Sequence, residues 1–291
     1  MVNDLNKKAI FYLLVCSLTY GAAIVVSKIA LKGGSNPFSF ALMTSFFSAI
    51  FSTFYILPKY RGMKKFSKKD WRNIIIIGII ASGITHLTMI FGQSLTSAMN
   101  AAFLSKLTGL FTIPFAYFMV KEKISRRVWL PIITVFFGVL LLSTNGALNS
   151  PQPGDMIIIF TAVLLGFTNS LAKKTMNKIS SNVISGLRFI FGFMFILSVV
   201  SFLLWSKSFS SLYDGFWYVI TNAILMFVYV FSFYKGVELS NPAIATIFLL
   251  VSAIFSAFLA YFLLGEVLSV VQAIGASLIL VGAYFIARKG I

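Results

Sequence analysis

Acidic residues are scarce in this chain: seven Asp and Glu among 291 residues, against 24 Lys and Arg. All seven (Asp4, Asp70, Glu122, Asp155, Asp214, Glu238 and Glu266) fall at the ends of apolar runs or in the breaks between them. A carboxylate proton relay or a carboxylate cation cage inside an apolar core therefore finds little support. The single cysteine, Cys16, excludes an intrachain disulfide and a CxxC metal site. The single histidine, His86, has no acid inside an apolar run to work with, which argues against a membrane-embedded hydrolase. No phosphate loop, Ser–His–Asp order or metal-ligand cluster occurs, so neither a metal nor a cofactor is expected. Charged residues make up only 11%, against 59% hydrophobic, too apolar for a soluble domain.

What the chain does have is apolar runs of the length that crosses a bilayer core of roughly 30 Å as helix, about 20 residues. Ten such spans can be placed: Ala9–Leu31, Pro37–Leu57, Ile74–Leu95, Ala98–Val120, Val128–Thr144, Met156–Ala172, Val183–Leu204, Phe216–Val237, Pro242–Leu264 and Val270–Ala287. The first is too long for a signal-peptide core and lacks a clear cleavage site, so it reads as a retained helix. Gly33-Gly34 marks one turn, and Asn145–Gly154, with Pro151 and Pro153, is the natural seam between two halves.

The net charge of +17 would suggest nucleic acid in a soluble chain. Here the bases sit in short breaks between apolar spans, and no nucleic-acid partner is expected; the lipid bilayer is the partner. Counting Lys and Arg by alternate breaks puts 19 on the side of the N-terminus and three (Lys28, Lys32 and Lys207) on the other. That asymmetry predicts both termini in the cytoplasm and an even number of spans. The expected setting is a prokaryotic cell membrane.

The stretch Ser94–Leu140 lies on Glu238–Tyr284 without a gap at an offset of 144. Leu95 meets Leu239, Ala101 meets Ala245, Phe111 meets Phe255, Glu122 meets Glu266, Ser125 meets Ser269 and Gly138 meets Gly282. Near the start, Gly21 meets Gly166 and Lys28 meets Lys173 at an offset of 145. The predicted fold class is an all-α integral membrane protein of ten transmembrane helices in two inverted five-helix repeats, 1–149 and 150–291. Five spans per half is an odd number, so the second half enters from the opposite face, the arrangement of an alternating-access transporter.

Several residues carry a resemblance. The first span has Tyr20-Gly21 followed by Lys28; Pro37 opens the second; Val120-Lys121-Glu122-Lys123-Ile124-Ser125 and Leu264-Gly265-Glu266-Val267-Leu268-Ser269 end the fourth and ninth. Gly138 and Gly282 stand in the fifth and tenth, and Gly186-Leu187-Arg188-Phe189 in the seventh. These resemble the drug/metabolite transporter superfamily, and within it the EamA-type family, over nearly the whole of both halves. The resemblance implies a cavity between the halves and transport of small metabolites, often amino acids. Three positions depart from the pattern: Met43 stands opposite Arg188, Lys121 replaces a frequent Gly, and Lys106 stands opposite Leu250.

The candidate substrate-binding residues are Lys106, His86, Arg188, Asn169, Tyr20 and Asn222. Lys106 lies nine residues into its span, about 13 Å deep at 1.5 Å per residue, where an ammonium needs water or a partner. His86 either contacts substrate, titrating near neutral pH, or makes a satisfied interhelical bond. Arg188, two turns into its helix, either pairs with carbonyls or lipid phosphate or binds substrate. Tyr20 belongs to the aromatic–glycine pair; Asn169, Asn222, Gln93 and Asn100 are weaker, since amides in membranes often only join helices. Ser97, Ala101, Ser105, Thr108 and Thr112, echoed by Ala245, Ser252 and Ser256, form small-residue stripes suited to close packing.

The expected function is a secondary transporter of small polar metabolites bearing a carboxylate, such as amino acids, acting by alternating access as a monomer or homodimer, and not an enzyme. Its rivals are a broad exporter of amphipathic compounds, since aromatics are 16% of the chain, and a non-transporting membrane scaffold subunit. A cavity between the halves separates transporter from scaffold.

Overall fold

The computed structural model describes residues 7–59, 66–97, 100–101, 104–121, 129–144, 152–203, 215–240, 242, 245–246, 249–265 and 269–289. Among these the regular structure is helical. We label the main helices in chain order: α1 Lys7–Lys32, α2 Pro37–Ile56, α3 Lys68–Ser94, α4 Leu107–Val120, α5 Trp129–Thr144, α6 Pro153–Met176, α7 Ser181–Leu203, α8 Phe216–Leu239, α9 Val251–Leu264 and α10 Val270–Lys289. Six of them (α1, α2, α3, α6, α7 and α8) are long and apolar enough to cross a membrane, and α4 and Val270–Gly282 are shorter apolar helices. Glu122, Glu266, Asp4 and Asp214 lie outside the described residues.

Local chemistry sets the helix starts. Asn36 caps α2 by accepting from the amides of Phe38 and Ser39, with Pro37 at the first position, where its missing N–H costs nothing. Ser67 and Asp70 form a capping box at α3, and Gln152 and Asp155 do the same at α6, again with a Pro at the first position.

Two expectations need correction. The spans placed at Ala98–Val120 and Pro242–Leu264 are not continuous helices. The first breaks at Ser105-Lys106, just before α4; the second breaks at Leu249-Leu250, just before α9. Lys106 and Leu250 are repeat mates, and each stands at the N-cap position of the helix that follows. Helix α3 also departs from a uniform helix: Ile79–Ile84 is a π turn.

The packing repeats as the sequence does. A Cβ on Gly21 would lie 2.7 Å from the carbonyl oxygen of Ser252 and 3.0 Å from the Cβ of Phe255. A Cβ on its mate, Gly166, would lie 2.8 Å from the carbonyl carbon of Phe111 and 2.9 Å from its Cβ. Phe111 and Phe255 are themselves mates, so α1 on α9 reproduces α6 on α4. The small-residue faces expected from the sequence are where these helices land: Ser252 and Ser256 under α1, Thr112 under α6. The lysines follow suit. Lys28 Nζ donates to the carbonyls of Gln93 (2.7 Å) and Thr96 at the carboxyl end of α3. Lys173 Nζ donates to those of Val237 (2.7 Å) and Ser240 (2.8 Å) at the carboxyl end of α8. Each ammonium satisfies carbonyls that the helix leaves unpaired, at the end where its dipole favours a cation.

Helices α5 and α10 pair with each other. A Cβ on Gly138 would come within 2.7 Å of the carbonyl oxygen of Gly275, and one on Gly282 within 2.9 Å of that of Pro131. The early part of each helix therefore meets the late part of the other, and the two run antiparallel.

Candidate functional site

The cavity is built on α1, α2, α3, α6, α7 and α8. Helix α1 supplies Tyr20, Ala23, Ile24 and Ser27, spaced three and four apart on one face. Helix α2, uniformly apolar in outline, carries a stripe at Ser45, Ser48 and Ser52, all buried; Ser45 and Ser48 line the cavity. Helix α3 contributes the π turn, with Ala81 and Ser82, then Thr85, His86, Met89 and Gln93. Asn222 and Tyr229 come from α8. The volume is about 50 Å3, room for a few water molecules.

The π turn explains how Arg188 is seated. Its Nε donates to Ser82 Oγ (2.8 Å) and one terminal nitrogen to the carbonyl of Ala81 (2.5 Å). Its guanidinium lies 4.9 Å from the ring centroid of Tyr234, close enough for a cation–π contact. Helix α7 reaches this turn because α3 and α7 meet at glycines: a Cβ on Gly83 would lie 2.7 Å from the ring of Phe195. Extra-residue turns of this kind occur often at functional sites.

Two polar atoms of the wall are unspent. Asn222 donates through Nδ2 to the carbonyl of Ala23 (2.8 Å), while its Oδ1 finds no hydrogen-bond partner among the described residues. The same is true of His86 Nε2. Buried polar atoms are nearly always bonded, so a pair left open on one cavity wall points to water or ligand. Among the described lining residues there is no Asp or Glu, and the basic side chains are Arg188 and His86.

The structure thus brings Tyr20, His86, Arg188 and Asn222 around one space. Lys106 is not among the lining residues. It is buried at the break before α4, where Nζ donates to Ser252 Oγ and sits 4.4 Å from the ring centroid of Tyr20. Tyr20 in turn stacks on Tyr229, with centroids 4.5 Å apart. Lys106 therefore stands one ring behind the wall, bridging α4 to α1 and α9. Asn169 is buried on α6 outside the lining. Ser45, Ser48, Ser82, Thr85, Thr161 and Tyr229 were missed by the sequence reading; the α2 serines spaced three and four apart were the available signal.

The profile of the EamA-like transporter family matches residues 7–144 and 152–288, one match in each half. The chain belongs to the EamA-like transporter family. It is 26% identical over 295 residues to an uncharacterized transporter of Clostridium kluyveri, covering 95% of this chain and 92% of that one. It is 21% identical over 291 residues to an uncharacterized transporter of Archaeoglobus fulgidus, covering 98% and 99%. A solved crystal structure superposes with a TM-score of 0.68 over 96% of both chains at 16% identity, a likeness of fold. This EamA-family protein is therefore a membrane-embedded transporter whose relatives are named for transport and not for a reaction.

Proposed function

We propose that this EamA-family chain is a ten-helix, inverted-repeat secondary transporter that moves small carboxylate-bearing metabolites, amino acids among them, by alternating access. Two features support the inverted repeat. Helices α5 and α10 are mates at an offset of 144 yet pack antiparallel, as a two-fold axis perpendicular to both requires. The paired breaks at Lys106 and Leu250 are the discontinuous helices that such folds place near their sites.

The observation that carries the substrate class is the charge of the cavity wall: Arg188 and His86 without an acid among the described lining residues. A guanidinium with donors beyond those held by Ser82 and Ala81 suits a carboxylate. Asn222 Oδ1, an open acceptor, suits a donor on the same molecule, such as an ammonium group. Lys106 adds positive potential through Tyr20 and fixes that ring. Asn169 serves as a packing amide in this scheme. The protein acts as a monomer or homodimer in a prokaryotic cell membrane with both termini cytoplasmic, and uses no cofactor or metal.

Proteoliposomes carrying the purified protein, offered a panel of radiolabelled amino acids, other small carboxylates and neutral metabolites, test this reading. Carboxylates should accumulate; accumulation of neutral compounds alone would refute it. Any flux driven by a proton gradient should disappear in His86→Ala, since His86 is the lining side chain whose ordinary titration lies near neutral pH.

A further inference from the structure

A second hollow, of about 500 Å3, lies beside the cavity, lined by Lys28, Lys32, Gly34, Ser35, Asn36 and Ser94. Lys32 and Gly34 are exposed, so this hollow meets the surface at the turn between α1 and α2. The two linings meet at a layer of residues on α1 and α3. Ser27 and Gln93 line the cavity, and their successors Lys28 and Ser94 line the outer hollow.

Hydrogen bonds hold that layer, and Thr96 is tied to α6 as well, its Oγ1 donating to Asp155 Oδ1 (2.7 Å). Ser27 Oγ donates to Gln93 Oε1, and Lys28 Nζ donates to the carbonyls of Gln93 and Thr96. All four residues are buried. The repeat supplies the contrast at the opposite end of the molecule. Lys173 makes the matching bonds to Val237 and Ser240, but the mates of Ser27 and Gln93 are Ala172 and Val237, both fully buried and apolar. The mates of His86, Met89 and Ile90 are Val230, Phe233 and Tyr234, all buried, with the Tyr234 ring 4.9 Å from the Arg188 guanidinium. At the second end buried apolar and aromatic side chains thus stand where the first end has Ser27, Gln93 and His86. Water or a polar ligand can replace the bonds of a polar layer as it parts, whereas parting the apolar end exposes hydrocarbon with no such compensation.

We propose that Ser27, Lys28 and Gln93 form the gate between an outer vestibule, the 500 Å3 hollow, and the central cavity, and that substrate passes through this layer. The proposal rests on the transport reading for its purpose, but its geometry can be tested without any substrate. In a Cys16→Ala background, Ser45→Cys places a reporter thiol on the cavity wall; the Ser45 hydroxyl bonds only within its own helix, to Leu42, among the described residues. The protein, in nanodiscs that leave both faces accessible, is treated with an anionic sulfonatoethyl methanethiosulfonate reagent, the charge sign the cavity is argued to accept. The reporter should react slowly in the parent and about tenfold faster in Gln93→Ala, Ser27→Ala and Lys28→Met, each of which removes part of the layer. Lys173→Met should leave the rate unchanged, because Ala172 and Val237 still seal that end. Melting temperatures identify any variant that reacts only because it has unfolded; Ser27→Ala, which deletes one hydroxyl, is the mildest change. Equal rates in the parent and the three gate variants, or equal acceleration by Lys173→Met, would overturn the gate. A gate that opens as expected in a protein that transports no carboxylate would leave the gate standing and overturn the substrate reading instead.

Discussion

Lys106 and Lys121 each occupy a position that costs energy, one by burial of a charge and one by its backbone conformation. Lys106 is buried, and among the described residues its ammonium meets one hydroxyl and one ring face. Taking an ammonium out of water costs several kcal/mol, and replacing Lys106 with an apolar side chain of similar length removes that penalty. Lys106→Met should therefore melt no lower than the parent in detergent. Its affinity for a carboxylate should nonetheless fall by about 2 kcal/mol, the order of a unit charge acting across one ring at an effective dielectric near 20. Lower melting with unchanged affinity would make Lys106 structural. Lys121 closes α4 with φ 59°, the left-handed region, and is the non-glycine residue found there among the described residues. Its mate, Gly265, closes α9 with φ 66°. The left-handed conformation costs an L residue about 1–2 kcal/mol, partly offset in glycine by its freer unfolded chain. Lys121→Gly should stabilise by about 0.5–1 kcal/mol, read as a higher denaturation midpoint. The glycine frequent at this place in the family that the sequence resembles made Lys121 visible as a departure; why it matters became visible only with the dihedral.

At the scale of elements, close helix contacts hold the halves together. Gly138 on α5 and Gly282 on α10 occupy equivalent places in one antiparallel crossing. Gly138→Leu and Gly282→Leu should each destabilise by about 1–3 kcal/mol, the usual cost of overpacking, and by similar amounts because the contacts are mates. Clearly unequal losses of melting temperature would argue against a shared geometry. Both glycines were legible from the offset of 144, and Lys28 and Lys173 as mates from the offset of 145. The breaks before α4 and α9 were not. Ala98–Val120 reads as one apolar run, and nothing local marks Ser105-Lys106 as a stop. Neighbouring helices can satisfy the backbone groups freed at such a break, so apolar periodicity alone does not report it. The π turn at Ile79–Ile84 escaped for the same reason, since one extra residue in a turn leaves the apolar run intact. The site was half legible: ionisable side chains stand out in an apolar sequence, whereas serines that line a cavity look like those that pack helices.

For the whole molecule, the repeat and the charge distribution make one joint demand. If the halves are inverted, the basic segment between α2 and α3 and the segment between α5 and α6 lie on opposite faces. Single cysteines placed within Pro58–Asp70 should label from the cytoplasmic side and those within Asn145–Gly154 from the external side; labelling of both from one side would exclude the arrangement. The central claim is that a wall bearing Arg188, with no acid among its described residues, selects an anionic group. The most direct measurement compares binding of small carboxylates and of their uncharged amides to the parent and to Arg188→Gln, with melting temperature confirming that the variant is folded. The account predicts that acids bind the parent and amides bind weakly, and that Arg188→Gln loses about 1.5–3 kcal/mol of affinity for the acids alone, the worth of a hydrogen bond to a charged group. Amides that bind as well as acids, or a folded Arg188→Gln with undiminished affinity for acids, would contradict it.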